Sequence, residues 1–351
     1  MRILQVSNQY LPEPGGVTEY IKNISERLAT RHEVYVFTTD SYGMPNNDEI
    51  NGVFIKRFRS FSPDNAYYLS LDMLRELKKS EFDIVHGHNY HALPLFLSRY
   101  AKKKRFVVTP HYNRYGVTGL RNVLIRMYKP FGQKIFQEAN KVVALSNREK
   151  CLLMEDFQID DRRIAIIPGG VNLKRFKDLG KTERKDKTIL VVARLEEFKG
   201  IQYAIRVLPL LDNSIQLEIV GKGPYKEQLI KEAKKLEVAH RIAFYQDLQG
   251  QDMVDRYANS DLFMLLSRHE SYGITVAEAL ASKTPSIVTN IPALKQWVDN
   301  RNCFGIDYPI DIAQLARLIA RVMSQKVQDV KIWDWDDVAR QIELIYLAQD
   351  E

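Results

Sequence analysis

Cysteine is scarce in this sequence. Two residues in 351, Cys151 and Cys303, cannot build a disulfide framework, and they point to a reducing compartment. No window approaches the run of about twenty apolar residues that a membrane-spanning helix needs. The opening MRILQVSNQYLPEPGG has no long apolar core and reads as a first β-strand rather than a signal peptide. There is no repeat at solenoid spacing and no low-complexity tract. A GxGxxG loop is also missing: Gly15-Gly16 follows the first strand instead, so a nicotinamide dehydrogenase gains no support. Acid is absent from one long stretch. Between Ile84 and Gln137 there is no Asp or Glu, but there are ten Lys or Arg. The whole chain carries +7, so the remainder is slightly acidic. A basic surface concentrated in one stretch points to an anionic partner.

What is present is the pattern of two α/β domains. The length suits two well-buried cores. Short apolar runs alternate with helical spacing, which predicts βα units and parallel sheets. The first series has strands at Ile3–Ser7, Glu33–Thr39, Val53–Phe58, Asp83–Gly87, Arg105–Thr109, Lys141–Leu145 and Ile164–Ile167. Pro168-Gly169-Gly170-Val171-Asn172 breaks the pattern and reads as a linker. A second series follows, with strands from Thr188, Leu217, Arg241, Leu262 and Pro285. Its helices are expected over Gly200–Leu211, Tyr225–Leu236, Asp252–Ala258 and Thr275–Ser282. Helices over Ile312–Met323 and Asp336–Leu347 close the chain.

The most informative stretch is Glu270-Ser271-Tyr272-Gly273-Ile274-Thr275-Val276-Ala277-Glu278. It follows a strand, turns through a glycine and enters a helix. In open α/β sheets, ligands bind beyond the carboxyl ends of strands. Free N–H groups at a helix start, here Gly273, Ile274 and Thr275, suit a phosphate. Carboxylates on either side, Glu270 and Glu278, suit hydroxyls. Thr275-x-x-Glu278 also fits a capping box. Upstream, Arg194 ends a strand and Lys199 follows in ARLEEFKG; two cations there suit a diphosphate. Glu196 and Glu197 between them leave local ion pairing as the alternative.

These motifs resemble the large glycosyltransferase family 4 group, whose members are retaining enzymes with the GT-B fold. The family usually has Glu-Gly-Phe-Gly-Leu where this chain has Glu270 to Ile274, so Ser271 departs from it. Arg194, Lys199 and Gly200 match its Arg-(four residues)-Lys-Gly element, and Pro168 to Asn172 with Phe176 resembles its interdomain hinge. The resemblance implies two doubly wound Rossmann-like domains facing across a cleft. Residues 1–168 would bind acceptor, 172–330 would bind the nucleotide-sugar donor, and a C-terminal helix, 334–351, would cross back to the first domain. It assigns Arg194 and Lys199 to the diphosphate, Glu270 and His111 to the transferred sugar, and Glu278 to the ribose. Gly223, in Gly221-Lys222-Gly223-Pro224, would lie near base and ribose; a turn without ligand contact fits equally. Gly15 and Gly16 would face the cleft near diphosphate and acceptor, or form a tight turn and nothing more. A lone histidine such as His111 is more often structural; its position at a strand's carboxyl end and the match to the family favour the functional role.

The expected activity is transfer of a sugar from a nucleotide-diphosphate sugar, the co-substrate, without metal or other cofactor. A sugar-nucleotide epimerase, a phosphorylase or a non-catalytic scaffold on the same fold are the rivals. His86, His88 and His91 form a loose cluster with no carboxylate or thiol beside it in sequence. Asp334-Trp335-Asp336 mimics a metal-binding DxD but begins a helix, where capping explains it. The bases in 99–137, interleaved with Leu124, Ile125, Met127, Tyr128 and Phe131, suit an anionic membrane surface. A helix with an ordinary buried face fits the same residues. The acceptor is therefore expected to be a glycan, a lipid-linked sugar or a phosphorylated molecule. The expected location is the cytoplasm, peripheral to the inner face of its membrane. No recognised motif for nucleic acid accompanies the bases.

Overall fold

The computed structural model describes residues 1–13, 15–40, 44–62, 68–114, 119–176, 186–248 and 250–348, with backbone only over 119–125. It divides into two compact units, residues 1–170 with 333–351, and residues 171–332.

The first unit is built on strands β1 (Arg2–Val6), β2 (Glu33–Thr39), β3 (Asn47–Ile50), β4 (Val53–Phe58), β5 (Glu81–His88), β6 (Lys102–Thr109), β7 (Lys141–Ala144) and β8 (Ile164–Ile166). They lie in the order β3-β4-β2-β1-β5-β6-β7-β8, parallel except for β3, which pairs antiparallel with β4 at the edge. Apolar runs such as Ile3-Leu4 and Val107-Val108 are fully buried because helices cover a parallel sheet on both faces. The helices are α1 (Gly16–Leu28), α2 (Leu71–Lys79), α3 (Leu93–Leu97), α4 (Gly119–Glu138) and α5 (Asn147–Phe157). Ser70 and Ser146 cap α2 and α5 through their side chains.

The second unit has β9 (Thr188–Val192), β10 (Gln216–Val220), β11 (Ile242–Tyr245), β12 (Leu262–Leu265), β13 (Ser286–Thr289) and β14 (Cys303–Ile306). Their order is β11-β10-β9-β12-β13-β14, all parallel. Helices α6 (Ile201–Val207), α7 (Lys226–Lys235), α8 (Gly250–Ala258), α9 (Ile274–Ala281) and α10 (Ile312–Val322) pack on it. The expected helix over 200–211 is α-helical only to Val207; Leu208–Leu210 continues as a 3-10 turn where Pro209 withholds its N–H.

The last helix, α11 (Trp335–Leu347), belongs to the first unit. Asp334 caps it by accepting from the Asp336 N–H at 2.7 Å, and Asp336 binds Arg27 of α1 at 2.7 Å. The DxD-like triplet is thus a cap and a clasp. Tyr346 reaches the sheet, where its hydroxyl lies 2.6 Å from His86 Nδ1 and 3.1 Å from Gln5 Nε2. His86 Nε2 meets Thr109 Oγ1, and His88 Nε2 meets Gln5 Oε1, each at 2.7 Å. His86 and His88 thus belong to a buried hydrogen-bond network, while His91 packs its ring against Tyr90 and Tyr112; among the described residues no group of three such side chains is placed to hold a metal.

The buried titratable groups of this unit, His86, His88, His111 and Glu149, set a pH dependence. Burial pushes His86 and His111 down to about 3, and His88 well below its usual 6.5. A group depressed on folding gives stability that is complete above 6.5 and is lost as pH falls. Glu149 acts oppositely: burial pushes it up to about 7, so its contribution is complete below 4.5 and is lost as pH rises through about 7. Three histidines oppose one carboxyl, so the histidines win between. The urea midpoint should fall from about pH 7.5 to about pH 5, and more steeply in Glu149→Gln. A midpoint that rose toward acid would contradict the buried neutral histidines.

Candidate functional site

The strand β9 pairs with β10 on one side and β12 on the other, so the order of strands reverses there. Such a switch point opens a crevice at the carboxyl ends of the strands. Two loops border it, one after β9 and one after β12. Gly200 joins them. Its φ is +73°, and a Cβ on it would sit 2.0 Å from the Leu266 carbonyl oxygen, so only glycine fits. The Arg268 N–H donates to the Phe198 carbonyl at 2.7 Å.

This closeness puts Lys199 against Glu270. Lys199 Nζ donates to Glu270 Oε1 at 2.6 Å, and both side chains are 14% exposed. Ser267 Oγ donates to the same oxygen at 2.9 Å. The Ser267 carbonyl in turn accepts from Thr289 Oγ1 of β13 at 2.5 Å. Arg194 does not join them. It is 65% exposed and pairs with Glu196 at 2.9 Å, the local pairing that the intervening acids allow.

Gly273 is the N-cap of α9, at φ +84° and with no side-chain cap. The capping box over Thr275 and Glu278 therefore does not form, since Thr275 lies inside the helix. The first N–H groups of α9, around Ile274 and Thr275, have no acceptor within the helix. Trp297 Nε1 donates to the Tyr272 carbonyl at 2.8 Å and holds the turn from outside. Glu278 points to α8, where Tyr257 Oη donates to its Oε2 at 2.7 Å. Gly221 to Gly223 is stitched to the β9 loop: the Leu195 N–H donates to the Lys222 carbonyl at 2.7 Å, and the Tyr225 N–H to the Leu195 carbonyl at 2.9 Å.

His111, Gly15 and Gly16 belong to the first unit. Gly15 is the exposed N-cap of α1, and Tyr20 of that helix meets the His111 ring edge-on at 5.4 Å. His111 is buried with φ +48°, unusual for a residue with a Cβ. Glu149 supports this turn by accepting from the next N–H, that of Tyr112, at 2.5 Å and from Leu145 N–H at 2.7 Å. Neither Glu149, Ser267, Trp297 nor Tyr257 was singled out by sequence pattern. Each sits on an ordinary buried or loop position, and only the fold brings it to its partners, Glu149 in the first unit and the others in the second.

The model of the "Glycosyl transferases group 1" family matches residues 174–334, and that of "Glycosyltransferase Family 4" matches residues 14–175. The chain belongs to these glycosyltransferases. This glycosyltransferase is 25% identical to an uncharacterized glycosyltransferase of Methanocaldococcus jannaschii, over 99% of this chain and 98% of that one. It is 26% identical to the glycogen synthase of Mycobacterium tuberculosis, over 99% and 95%. It is 25% identical to the alpha-monoglucosyldiacylglycerol synthase of Streptococcus pneumoniae, over 88% and 75%. Among solved structures it resembles a sucrose-phosphate synthase of Thermosynechococcus elongatus, with TM-score 0.82 at 17% identity over 98% of both chains. It also resembles Anabaena HepE in complex with UDP-glucose, with TM-score 0.78 at 16% identity over 98% and 99%. The fold is GT-B, with two Rossmann-like sheets, as the sequence resemblance implied.

The tie between the loops is directly testable. Gly200→Ala adds a Cβ at positive φ and against a carbonyl, a strain of roughly 1–3 kcal/mol. Its thermal midpoint should drop by several degrees and its turnover should fall with it. An unchanged midpoint would show that the loops are not held together here.

Proposed function

We propose that this glycosyltransferase moves a hexosyl group from a nucleotide-diphosphate sugar to an acceptor hydroxyl, with retention at the anomeric carbon. The observation that carries the reading is the Lys199–Glu270 contact at the switch point, beside the start of α9. The bond from the anomeric carbon to the diphosphate oxygen breaks, and a bond to the acceptor oxygen forms on the same face. The acceptor proton passes to the departing diphosphate. Negative charge grows on that diphosphate, and Lys199, Arg194 and the N–H groups of Gly273, Ile274 and Thr275 are the groups suited to stabilise it. Arg194, exposed and paired with Glu196, can swing to the ligand at small cost, because exposed ion pairs contribute little.

Among the described residues the bonds to Glu270 fall on Oε1, from Lys199 and Ser267, and Oε2 is the oxygen suited to accept from a hydroxyl of the transferred sugar. Glu278 takes the ribose hydroxyls, and Gly223 shapes the turn near the base. In the first unit, His111 takes the family's role toward the sugar, and Gly15 and Gly16 that toward diphosphate and acceptor. The two cations do the work a metal does elsewhere, so no metal or cofactor is needed. Since HepE is solved in complex with UDP-glucose, UDP-glucose is the first donor to assay, within a panel of UDP-, GDP- and ADP-sugars. Arg194→Ala and Lys199→Ala should each cut transfer by about 10²-fold or more, as loss of one oxyanion-type donor does. Wild-type transfer of labelled sugar should survive EDTA. Near wild-type rates in both variants, or metal-dependent wild-type activity, would overturn the assignment.

The acceptor is proposed to be a glycan or a lipid-linked or phosphorylated molecule met at a membrane surface, with the enzyme peripheral to the inner face of the cytoplasmic membrane. The glycolipid-synthase relative is consistent with this. So is α4, where Met127 is 68% exposed and Phe131 is 45% exposed among the bases Arg126, Lys129 and Lys134. No helix among the described residues is long and apolar enough to cross a membrane. The side chains of Arg121, Leu124 and Ile125 lie outside the described residues. Co-sedimentation with vesicles should require anionic lipid, weaken with salt and fall in the double variant Arg126→Ser, Lys134→Ser. Equal failure on neutral and anionic vesicles at low salt would remove the membrane and leave sugar transfer standing.

A further inference from the structure

Tyr257 is fully buried on α8, 21 residues before Glu278, and its hydroxyl donates to Glu278 Oε2 at 2.7 Å. Its ring is wedged between Phe263, at 5.8 Å, and Phe176, at 6.5 Å. Its carbonyl accepts from Thr284 Oγ1 at 2.6 Å, which ties α8 to the segment that follows α9. The hydroxyl therefore has little freedom, and Glu278, which is half-buried on the neighbouring helix, is held by it at one oxygen.

We infer that Tyr257 is a positioning residue that fixes the Glu278 carboxylate for bidentate acceptance from the 2′- and 3′-hydroxyls of a ribonucleotide, and so selects ribose over deoxyribose in the donor. The inference rests on the assignment of Glu278 to the ribose. A carboxylate on a flexible stem must be ordered when it binds a vicinal diol, and that ordering weakens the complex. A carboxylate already held by a rigid neighbour meets the diol without that loss. A neutral donor also suits this task better than a cation. It orients the carboxylate without itself neutralising it, and hydrogen bonds to a charged acceptor are the strong ones. Burial and the adjacent carboxylate raise the Tyr257 hydroxyl well above its usual range, so it stays a donor at every pH used for assay. Packing alone would be served equally by phenylalanine.

The test is equilibrium binding of UDP, GDP and ADP, each against its 2′-deoxy form, to the full chain. For the base that binds best, the wild type should prefer the ribonucleotide by about tenfold, the size expected for a lost charged hydrogen bond. Tyr257→Phe keeps the ring and should retain the thermal midpoint to within a few degrees, but its preference should fall to about threefold or less. Glu278→Ala should abolish the preference, and adding Tyr257→Phe to it should change nothing further. The coincidence of single and double variants is the mark of action through Glu278, since a general packing defect weakens both nucleotides alike and leaves the ratio intact. A Tyr257→Phe variant with the wild-type ratio would overturn the positioning role while the ribose assignment stood. A Glu278→Ala variant that still prefers ribose would overturn the ribose assignment, and the role of Tyr257 with it.

Discussion

At Gly200 the backbone of the β9 loop passes so near the Leu266 carbonyl that one added carbon would lie 2.0 Å from its oxygen. Lys199 is the residue before that contact, and Glu270 is four residues after its partner. Their ion pair follows from the approach of the two loops rather than from any attraction across solvent. Because both side chains are largely buried, their charges interact in a medium that screens poorly. Removing one partner would leave the other charge buried alone, an effect of about 3–5 kcal/mol. The pair is thus held ready by the fold, while Arg194, on the same loop but exposed, stays adjustable. Under the proposed function, a fixed cation and an exposed, adjustable one would divide the work of meeting a diphosphate.

The first unit holds its residues by a different means. The contacts Gln5–Tyr346, Tyr346–His86, His86–Thr109 and Gln5–His88 form one chain, and it fixes the protons. Gln5 Oε1 can only accept, so His88 Nε2 carries a hydrogen. Gln5 Nε2 donates to the Tyr346 hydroxyl, which leaves that hydroxyl to donate to His86 Nδ1. His86 then bears its proton on Nε2, toward Thr109. These tautomers are assigned from the network, and each ring is neutral, as burial demands. The network joins the first strand to the last helix, so the chain's two ends share one polar core. That is the physical reason 333–351 groups with the first unit.

The architecture was legible because parallel sheets write themselves as apolar runs separated by helical spacing. The runs at Val34, Val53 and Thr188 became strands with the expected bounds or nearly so. Of the four edge strands, β8 and β11 were legible, but β3 and β14 were not. β3 reads Asn-Asp-Glu-Ile, with polar residues suited to a half-covered edge, and β14 reads Cys-Phe-Gly-Ile behind a polar loop; neither has the signal of a central strand. At the site, Glu270, Lys199 and Gly273 stood out because a turn chemistry or a charge at a strand end marked them. Tyr257 did not, nor, in the first unit, did Glu149. A tyrosine on the buried face of a helix and a glutamate in a first helical turn are ordinary, and their importance lies in partners that only folding supplies.

The same limit governs the acid-free stretch. Counted along the chain, Ile84 to Gln137 carries ten bases and no acid. Folding brings acids from outside it. Glu138 takes Arg99, Asp83 takes Lys104, and Glu155 with Asp156 takes Arg114, with Lys129 at 3.8 Å from Asp156. Arg105 is buried, and its guanidinium donates to the Ile345 carbonyl of α11. Much of the charge that looked available to a partner is therefore engaged in holding α4, α5 and β6 together. What remains for an anionic surface among the described residues is narrower than the sequence implied: Lys102 at the start of β6, and Arg126 and Lys134 on α4 beside the exposed Met127 and Phe131. Electrostatic attraction from so few bases would be modest, so any hold on a membrane has to draw on those two apolar side chains as well as on charge.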